Sequence, residues 1–472
     1  MMLPILIAKE LKHNLLSFRF VAGLLFVLVV CAGSSLIFCK KFQNAQEEYR
    51  HNQELYKSAL ASSTRGLQAL YAETIPLTKE PRLSSLFASG HENRFPKTIY
   101  MTPSAARRGG LFSGMNLNAQ RVNYKLENYA DFDLVFIVGI VLSFLAIVLS
   151  FDAISRDRED GTLKLQLSNA VPRTQVLLAK YLATLILLLV PIILGSLLSI
   201  IIIQLVLGRN IILAFPQEAL LTGALGMIYL SLFVWMGLWM SSAVSKSSTS
   251  LALLLLLWTF AVVLFPYLGG MIAQRYHPVA SKEEYDSRFQ AVMLDFMRGA
   301  PKEMHEVMIG RESVEGWQAI AGYFDQCDNT MEQFVLQRFT ELLNQARTAE
   351  SINAFSPYSA FRQVVERVSN TGLAYHKKFF DAAVQYRHVM KNFIHARDLA
   401  DPQSRHRMVP FPGMLSISNK SVDAHVIPRF TSPPRDLPAD LKQALPFVAY
   451  LAILNIVFFL LSHFTFAGAD VR

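Results

Sequence analysis

Apolar residues gather in six long runs: Phe20–Phe38, Leu134–Phe151, Leu182–Leu207, Ala219–Met240, Leu251–Ile272 and Phe447–Phe464. A helix needs about 20 consecutive apolar residues to cross a bilayer. Lipid offers the backbone no hydrogen-bond partner, so a spanning segment must satisfy itself as a helix. The pattern therefore predicts an all-α polytopic membrane protein with six transmembrane helices, at residues 19–39, 134–153, 176–207, 219–240, 251–272 and 447–466. Pro191 predicts a kink in the third, with neighbouring helices re-satisfying the freed carbonyl. Two long polar insertions, 40–133 and 273–446, follow the first and fifth spans.

The chain begins with a different period. Leu3, Ile7, Leu11, Leu15 and Phe18 recur at helical spacing, with Lys9, Glu10, Lys12 and His13 between them. This predicts an amphipathic helix over 1–18 lying in the membrane interface. The run after it is longer than the ~7–15 residues of a signal-peptide core and lacks a small-residue cleavage site, so it reads as a retained span. Lys9, Lys12 and Arg19 precede the first span. Arg156, Arg158, Lys164, Arg173 and Lys180 lie between the second and third, and Lys246 lies between the fourth and fifth. The positive-inside rule puts these segments, and both termini, in the cytoplasm. The two insertions then fall outside.

The second insertion carries three helical stripes: Phe334, Val335, Phe339, Leu342, Leu343, Ala346; then Phe361, Val364, Val365, Val368; then Phe379, Phe380, Ala383, Val384, Val389. Stripes at this spacing predict a mostly helical packed core. The proline-rich stretch 401–438 predicts an extended return to the membrane. The first insertion is more polar, with apolar patches at 67–71 and 83–87, and its pattern assigns no fold.

Composition agrees with a bilayer and removes several functions. Of 472 residues 52% are hydrophobic and only 17% charged, against about 25% charged in soluble proteins. The net charge is +9. No nucleic-acid motif accompanies it, and basic residues also collect at lipid surfaces, so no nucleic-acid partner is expected. Cys31, Cys39 and Cys327 form no CxxC pair. A P-loop needs a glycine-rich turn followed by Lys and Ser or Thr. Gly109–Gly110 follow Arg107–Arg108, but no such pair follows them, so any ATP and Mg must be bound by another chain and no cofactor is expected in this one. His305–Glu306 begins an HExxH, yet Ile309 stands where the second His is needed. His376, His388 and His395 share one predicted helix without the carboxylate or thiolate company of known sites, so no metal is expected. Asn455 and His463 are the polar groups of the last span, and Gln204 lies near the end of the third. Helix–helix hydrogen bonding accounts for such groups, and no intramembrane Asp, Glu or Lys relay exists for ion coupling.

The most specific segment runs from Phe151 to Arg173. A charged cluster, Arg156-Asp157-Arg158-Glu159-Asp160, meets a Gly161-Thr162 break. Leu163, Leu165 and Leu167 follow, then Pro172-Arg173, with Lys180 opening the third span. The alternating leucines leave helix and extended chain both open. This segment resembles the signature of ABC type-2 permeases, in which the second span is followed by a Glu-x-x-x-Gly-Thr-Leu type stretch, a Ser-x-x-x-x-Arg and a Lys. The counterparts are Arg158–Leu163, Ser168 to Arg173, and Lys180. Lys9-Glu10-Leu11 resembles the family's elbow helix, and the six spans and final Asp470-Val471-Arg472 agree. Asn353–Tyr358 and Thr371–Gly372 resemble a bacterial subgroup with large periplasmic insertions.

The resemblance implies a permease subunit of an ATP-driven ABC transporter, an exporter in the bacterial inner membrane and not itself an enzyme. It would pair with a second permease copy or a homologous one, contact membrane lipids, and dock on cytoplasmic ABC ATPase subunits. It also implies a coupling helix within 154–175, with Arg156, Arg158, Glu159, Asp160, Gly161, Thr162, Leu163 and Arg173 as the ATPase-coupling residues. The alternative is a mechanotransmission subunit, in which the outer domains act on a periplasmic partner without transport.

Overall fold

The computed structural model describes residues 2–91, 95–103, 132–168, 172–208, 216–311, 313–408 and 415–468. Residues 107–110, 169–171 and 470–472, used in reading the sequence, lie outside them. Among the described residues, six helices are long and apolar enough to cross a membrane, and sheet is almost absent. The chain is an all-α multi-pass membrane protein.

In chain order the elements are α1 (Met2–Leu15), α2 (Phe18–Ala61), α3 (Leu67–Ala72), β1 (Ile75–Thr78), β2 (Thr98–Met101), α4 (134–150), α5 (Ser155–Glu159) and α6 (Thr162–Ser168). Then come α7 (Arg173–Leu207), α8 (Pro216–Ala243), α9 (Ser247–Tyr276), α10 (Lys282–Arg298), α11 (Lys302–Met308) and α12 (Val314–Asn353). The last are α13 (Pro357–Ser369), α14 (Leu373–Leu399) and α15 (Leu437–Gly468). The Ser17 hydroxyl accepts the Phe20 amide at 3.2 Å and starts α2 afresh after α1. The free N–H groups at a helix start need such an acceptor.

α8 is the centre of the bundle, packed against α4, α7, α13 and α15. Tyr229, Leu230, Phe233, Val234 and Leu238 on it are buried. Two π-helical turns interrupt the spans beside it, Ile137–Leu142 in α4 and Thr259–Leu264 in α9. Such turns leave backbone carbonyls to be satisfied from the side. The Gly139 carbonyl accepts from the Tyr229 hydroxyl at 2.8 Å and from the Ser143 hydroxyl at 2.6 Å. Trp258 Nε1 donates to Ser143 Oγ at 3.0 Å, tying the two turned helices together.

α2 continues well past its apolar run. Its 44 residues make a rod about 66 Å long at ~1.5 Å per residue, about twice the ~30 Å hydrocarbon thickness. The far half enters a domain, outer only in lying beyond the apolar spans, that both insertions build jointly. β1 pairs antiparallel with β2, with Ile75 opposite Met101 and Thr78 opposite Thr98. These strands, α3 and the end of α2 share a core with α12, α14 and residues 415–430. Phe339 of α12 and Phe380 of α14 stack there, ring centres 3.7 Å apart.

One stripe packs elsewhere. Phe361, Val364, Val365 and Val368 are buried, but in the core of the membrane bundle instead of that of the outer domain. α13 lies against α8 and α15, and Phe361 stacks on Tyr229 at 4.7 Å. Ser356 Oγ donates to the Ala261 carbonyl of α9 at 2.6 Å, and the Tyr450 hydroxyl of α15 donates to Phe355 O at 2.6 Å. Gly139 permits the approach, since a Cβ there would stand 2.5 Å from the Tyr358 ring. In the third stripe Phe379, Phe380 and Ala383 are buried while Val389 is exposed.

Candidate functional site

At the α1 end of the bundle, α4 passes through the turn 151–154 into α5. Gly161 then reverses the chain with φ +73°, a left-handed conformation that costs a residue with a Cβ roughly 1–2 kcal/mol. α6 follows as helix, which settles the alternating leucines. Residues two apart on a helix point about 200° apart, and Leu163 is buried while Leu165 is 68% exposed.

Three charges from three elements meet under α5. Lys180 of α7, 4% exposed, places Nζ 2.6 Å from Asp157 Oδ2 of α5 and 3.1 Å from Glu10 Oε1 of α1. Thr162 Oγ1 of α6 donates to Asp157 Oδ1 at 3.1 Å, and Gln166 Nε2 reaches Asp157 Oδ2 at 3.4 Å. One buried cation thus joins the N-terminal helix, α5 and the third span, while the Asp157 carboxylate adds α6. The sequence offered each member separately. That Glu10 and Lys180 meet across 170 positions is not written in any periodicity.

The remaining charges mostly serve the bundle. The Glu159 carboxylate accepts from Ser247 N at 3.0 Å and Ser247 Oγ at 2.8 Å, capping the start of α9. Arg158 donates to the carbonyls of Ser242 at 3.2 Å and Val244 at 3.4 Å, at the end of α8. Arg173 Nη1 donates to Phe466 O at 2.9 Å and Ala467 O at 2.7 Å, closing the end of α15. In each case an unsatisfied helix terminus meets charge of the favourable sign. Ser241 Oγ accepts the amides of Ile154 and Ser155 at 2.9 and 3.0 Å. Arg19 Nη1 of α2 pairs with Asp152 Oδ2 at 2.6 Å. The outward face holds what remains: the Arg156–Asp160 pair at 3.7 Å, both more than half exposed, with exposed Lys164 and Leu165.

The intramembrane polar residues are accounted for by their neighbours. Asn455 accepts from Ser231 Oγ at 2.8 Å and donates to Ile228 O at 3.0 Å, joining α15 to α8. His463 stands among the rings of Phe459 and Phe464. In the outer domain, His388 Nε2 meets Glu332 Oε1 at 2.6 Å. His376 is buried beside Lys79. Burial, then the Lys79 charge, hold its pKa well below the usual imidazole value. Among the described residues, His91, Glu350 and Glu366 bring ligand-type atoms within 4.8 Å of one another. The Arg362 guanidinium already engages Glu366, which makes the group an ion-pair cluster.

Six apolar helices with their ends stapled around a short surface helix make this a multi-pass membrane protein. The model of the ABC-2 family transporter proteins matches residues 5–471, and the chain belongs to that family. Membrane subunits of this family are not themselves enzymes. No curated protein matches the chain.

Proposed function

We propose that this chain is the permease subunit of an ATP-driven exporter. It would sit in the inner membrane with both termini and α5–α6 in the cytoplasm, beside a second permease. Separate ATPase subunits dock on it and bind the ATP and Mg. The observation that carries the reading is the Glu10–Lys180–Asp157 junction beneath an exposed helix. A load applied to α6 reaches α5, α7 and α1 together, as a rigid-body switching transition requires.

Within this reading Gly161, Thr162 and Leu163 shape the coupling helix, while Arg158, Glu159 and Arg173 fix it to the ends of α8, α9 and α15. Arg156, Asp160, Lys164 and Leu165 make the contact. Reversing Glu159 would break the α9 cap as well as any interface, so it is a poor probe. The test is Lys164→Glu with Leu165→Asp, measured as ATPase co-purification from detergent. Burying one leucine contributes about 2 kcal/mol, so its loss alone should weaken association roughly thirtyfold. The reversed charge adds to that. Normal assembly and full turnover by the double variant would remove α6 from the interface.

A further inference from the structure

Two pockets sit on either side of the segment Leu83–Ser89, and no part of the coupling mechanism uses them. The first is an apolar cavity of about 270 Å³ inside the bundle, enclosed by α2, α4, α7 and α8 with Leu86 and Phe87. Apolar cavities of this kind stay dry and take apolar guests. Its few hydroxyls are mostly committed: Ser34 to Phe132 O, Ser35 to Cys31 O and Ser196 to Ile193 O. Thr222 is 1% exposed, and its Oγ1 has no hydrogen-bond partner among the described residues. Gly223 and Ser196 on the wall are exposed, so the cavity opens between α7 and α8.

The second pocket lies further along α2, beyond Phe38. Lys41, Lys79, Arg82 and Lys97 line it, against Glu48 and Glu80. Lys79 is buried, with Nζ beside His376 and 4.9 Å from the centre of the Phe379 ring. Burial and this cation hold the His376 pKa well below the usual imidazole value, so three lysines and one arginine face two glutamates and leave the pocket net positive.

Both pockets border the same helix, α2. The cavity borders α2 around Cys31 and the basic pocket borders it around Gln43, about 18 Å apart at ~1.5 Å per residue. One leaflet with its headgroups is about 20 Å thick. Leu86 and Phe87 face the cavity while Ser85 and Ser89 face the basic pocket. A backbone bond from Val135 N to Phe87 O at 3.1 Å and a bond from Ser89 N to the Asp133 carboxylate at 2.8 Å hold this segment against the start of α4. We propose that the two pockets form one bipartite site for an anionic phospholipid. Its phosphate rests among Lys79, Arg82 and Lys97, and one acyl chain fills the cavity beside Thr222. The site stands on the geometry of the bundle and does not depend on the direction of transport.

The test uses the full chain in detergent, titrated with phosphatidylglycerol, phosphatidylcholine or inorganic phosphate and read by native mass spectrometry. One phosphatidylglycerol should bind per chain, at least tenfold tighter than phosphatidylcholine. Arg82→Glu with Lys97→Glu should erase that preference. Gly223→Leu should block the chain-binding part, because Gly223 lines the cavity and a Cβ there meets nothing within 4 Å. It should lower lipid affinity at least tenfold with no change in melting temperature. Wild-type lipid binding by both folded variants overturns the proposal. Equal binding of the two lipids, or displacement of the lipid by phosphate at equal concentration, overturns it as well, the latter by reducing the site to a simple anion pocket.

Discussion

Lys180→Met is expected to destabilise the membrane bundle by about 3–5 kcal/mol, the usual cost of removing one partner from a buried charge cluster. Lys180 is 4% exposed, with Asp157 and Glu10 both within 3.1 Å of its ammonium group. Methionine has nearly the same reach and bulk, so the substitution isolates charge from packing. It leaves two carboxylates facing each other with no cation between them. Asp157 retains Thr162 and Gln166, but neutral donors do not replace a full charge. Thermal unfolding of the detergent-purified protein should show a clear fall in melting temperature. Adding Glu10→Gln and Asp157→Asn to Lys180→Met should recover much of the loss, because the triple variant buries no unpaired charge. If Lys180→Met melts with the parent, the junction holds nothing together and cannot carry load from α6 to α1.

The second large effect is expected in the outer domain. Arg387 of α14 is 1% exposed and its guanidinium pairs with both Asp328 and Glu332 of α12. Its Nε also donates to Thr102 O at 3.3 Å, beside β2. Arg387→Leu strands two buried carboxylates and should cost about 3–5 kcal/mol. Lys391 Nζ stays 2.9 Å from Asp328 Oδ2 and His388 Nε2 2.6 Å from Glu332 Oε1, but neither replaces the guanidinium that serves both carboxylates at once. Cys327 reports the result directly. It is 8% exposed, and burial with Asp328 pushes its thiol pKa up. In the parent it should resist maleimide. In Arg387→Leu it should react rapidly, while the bundle stays folded. Arg387→Lys should give only partial protection, since an ammonium lacks the planar fork that serves two carboxylates at once. Continued protection of Cys327 in Arg387→Leu would show that α12 and α14 hold without the ion pairs.

The spans were legible because lipid enforces them. A run such as Leu134–Phe151 has only one way to satisfy its backbone between acyl chains. The surface helix α6 was legible as a segment because Gly161, with φ +73°, marks a turn that most residues resist. The destination of each charge was not. Arg158, Glu159 and Arg173 look in the sequence like residues awaiting a partner, yet they are spent on the ends of α8, α9 and α15. Composition reports that a charge exists, whereas the free helix terminus that takes it lies 84 to 294 positions away and has no pattern of its own. α13 teaches the same about apolar stripes. Phe361 and Val365 announce a buried face, but periodicity is blind to what covers it, here Tyr229 and its neighbours in the bundle. The joint outer domain was hidden for a third reason. Its strands β1 and β2 are only four residues each, and beyond the neighbouring α2 and α3 the rest of their core comes from helices more than 200 positions away.

In the assembled complex α6 is expected to touch a separate ATPase. Leu165→Cys reports that contact, placed in a chain whose three native cysteines are all buried and free. A maleimide cross-linker at that position, in the complex purified with its ATPase, should join the two chains. The yield should change when ATP is added, and Asn329→Cys in the outer domain should give no product. A complex that hydrolyses ATP at its full rate while Leu165→Cys forms no cross-link, or labelling of Leu165→Cys by an impermeant reagent from outside intact cells, would contradict it.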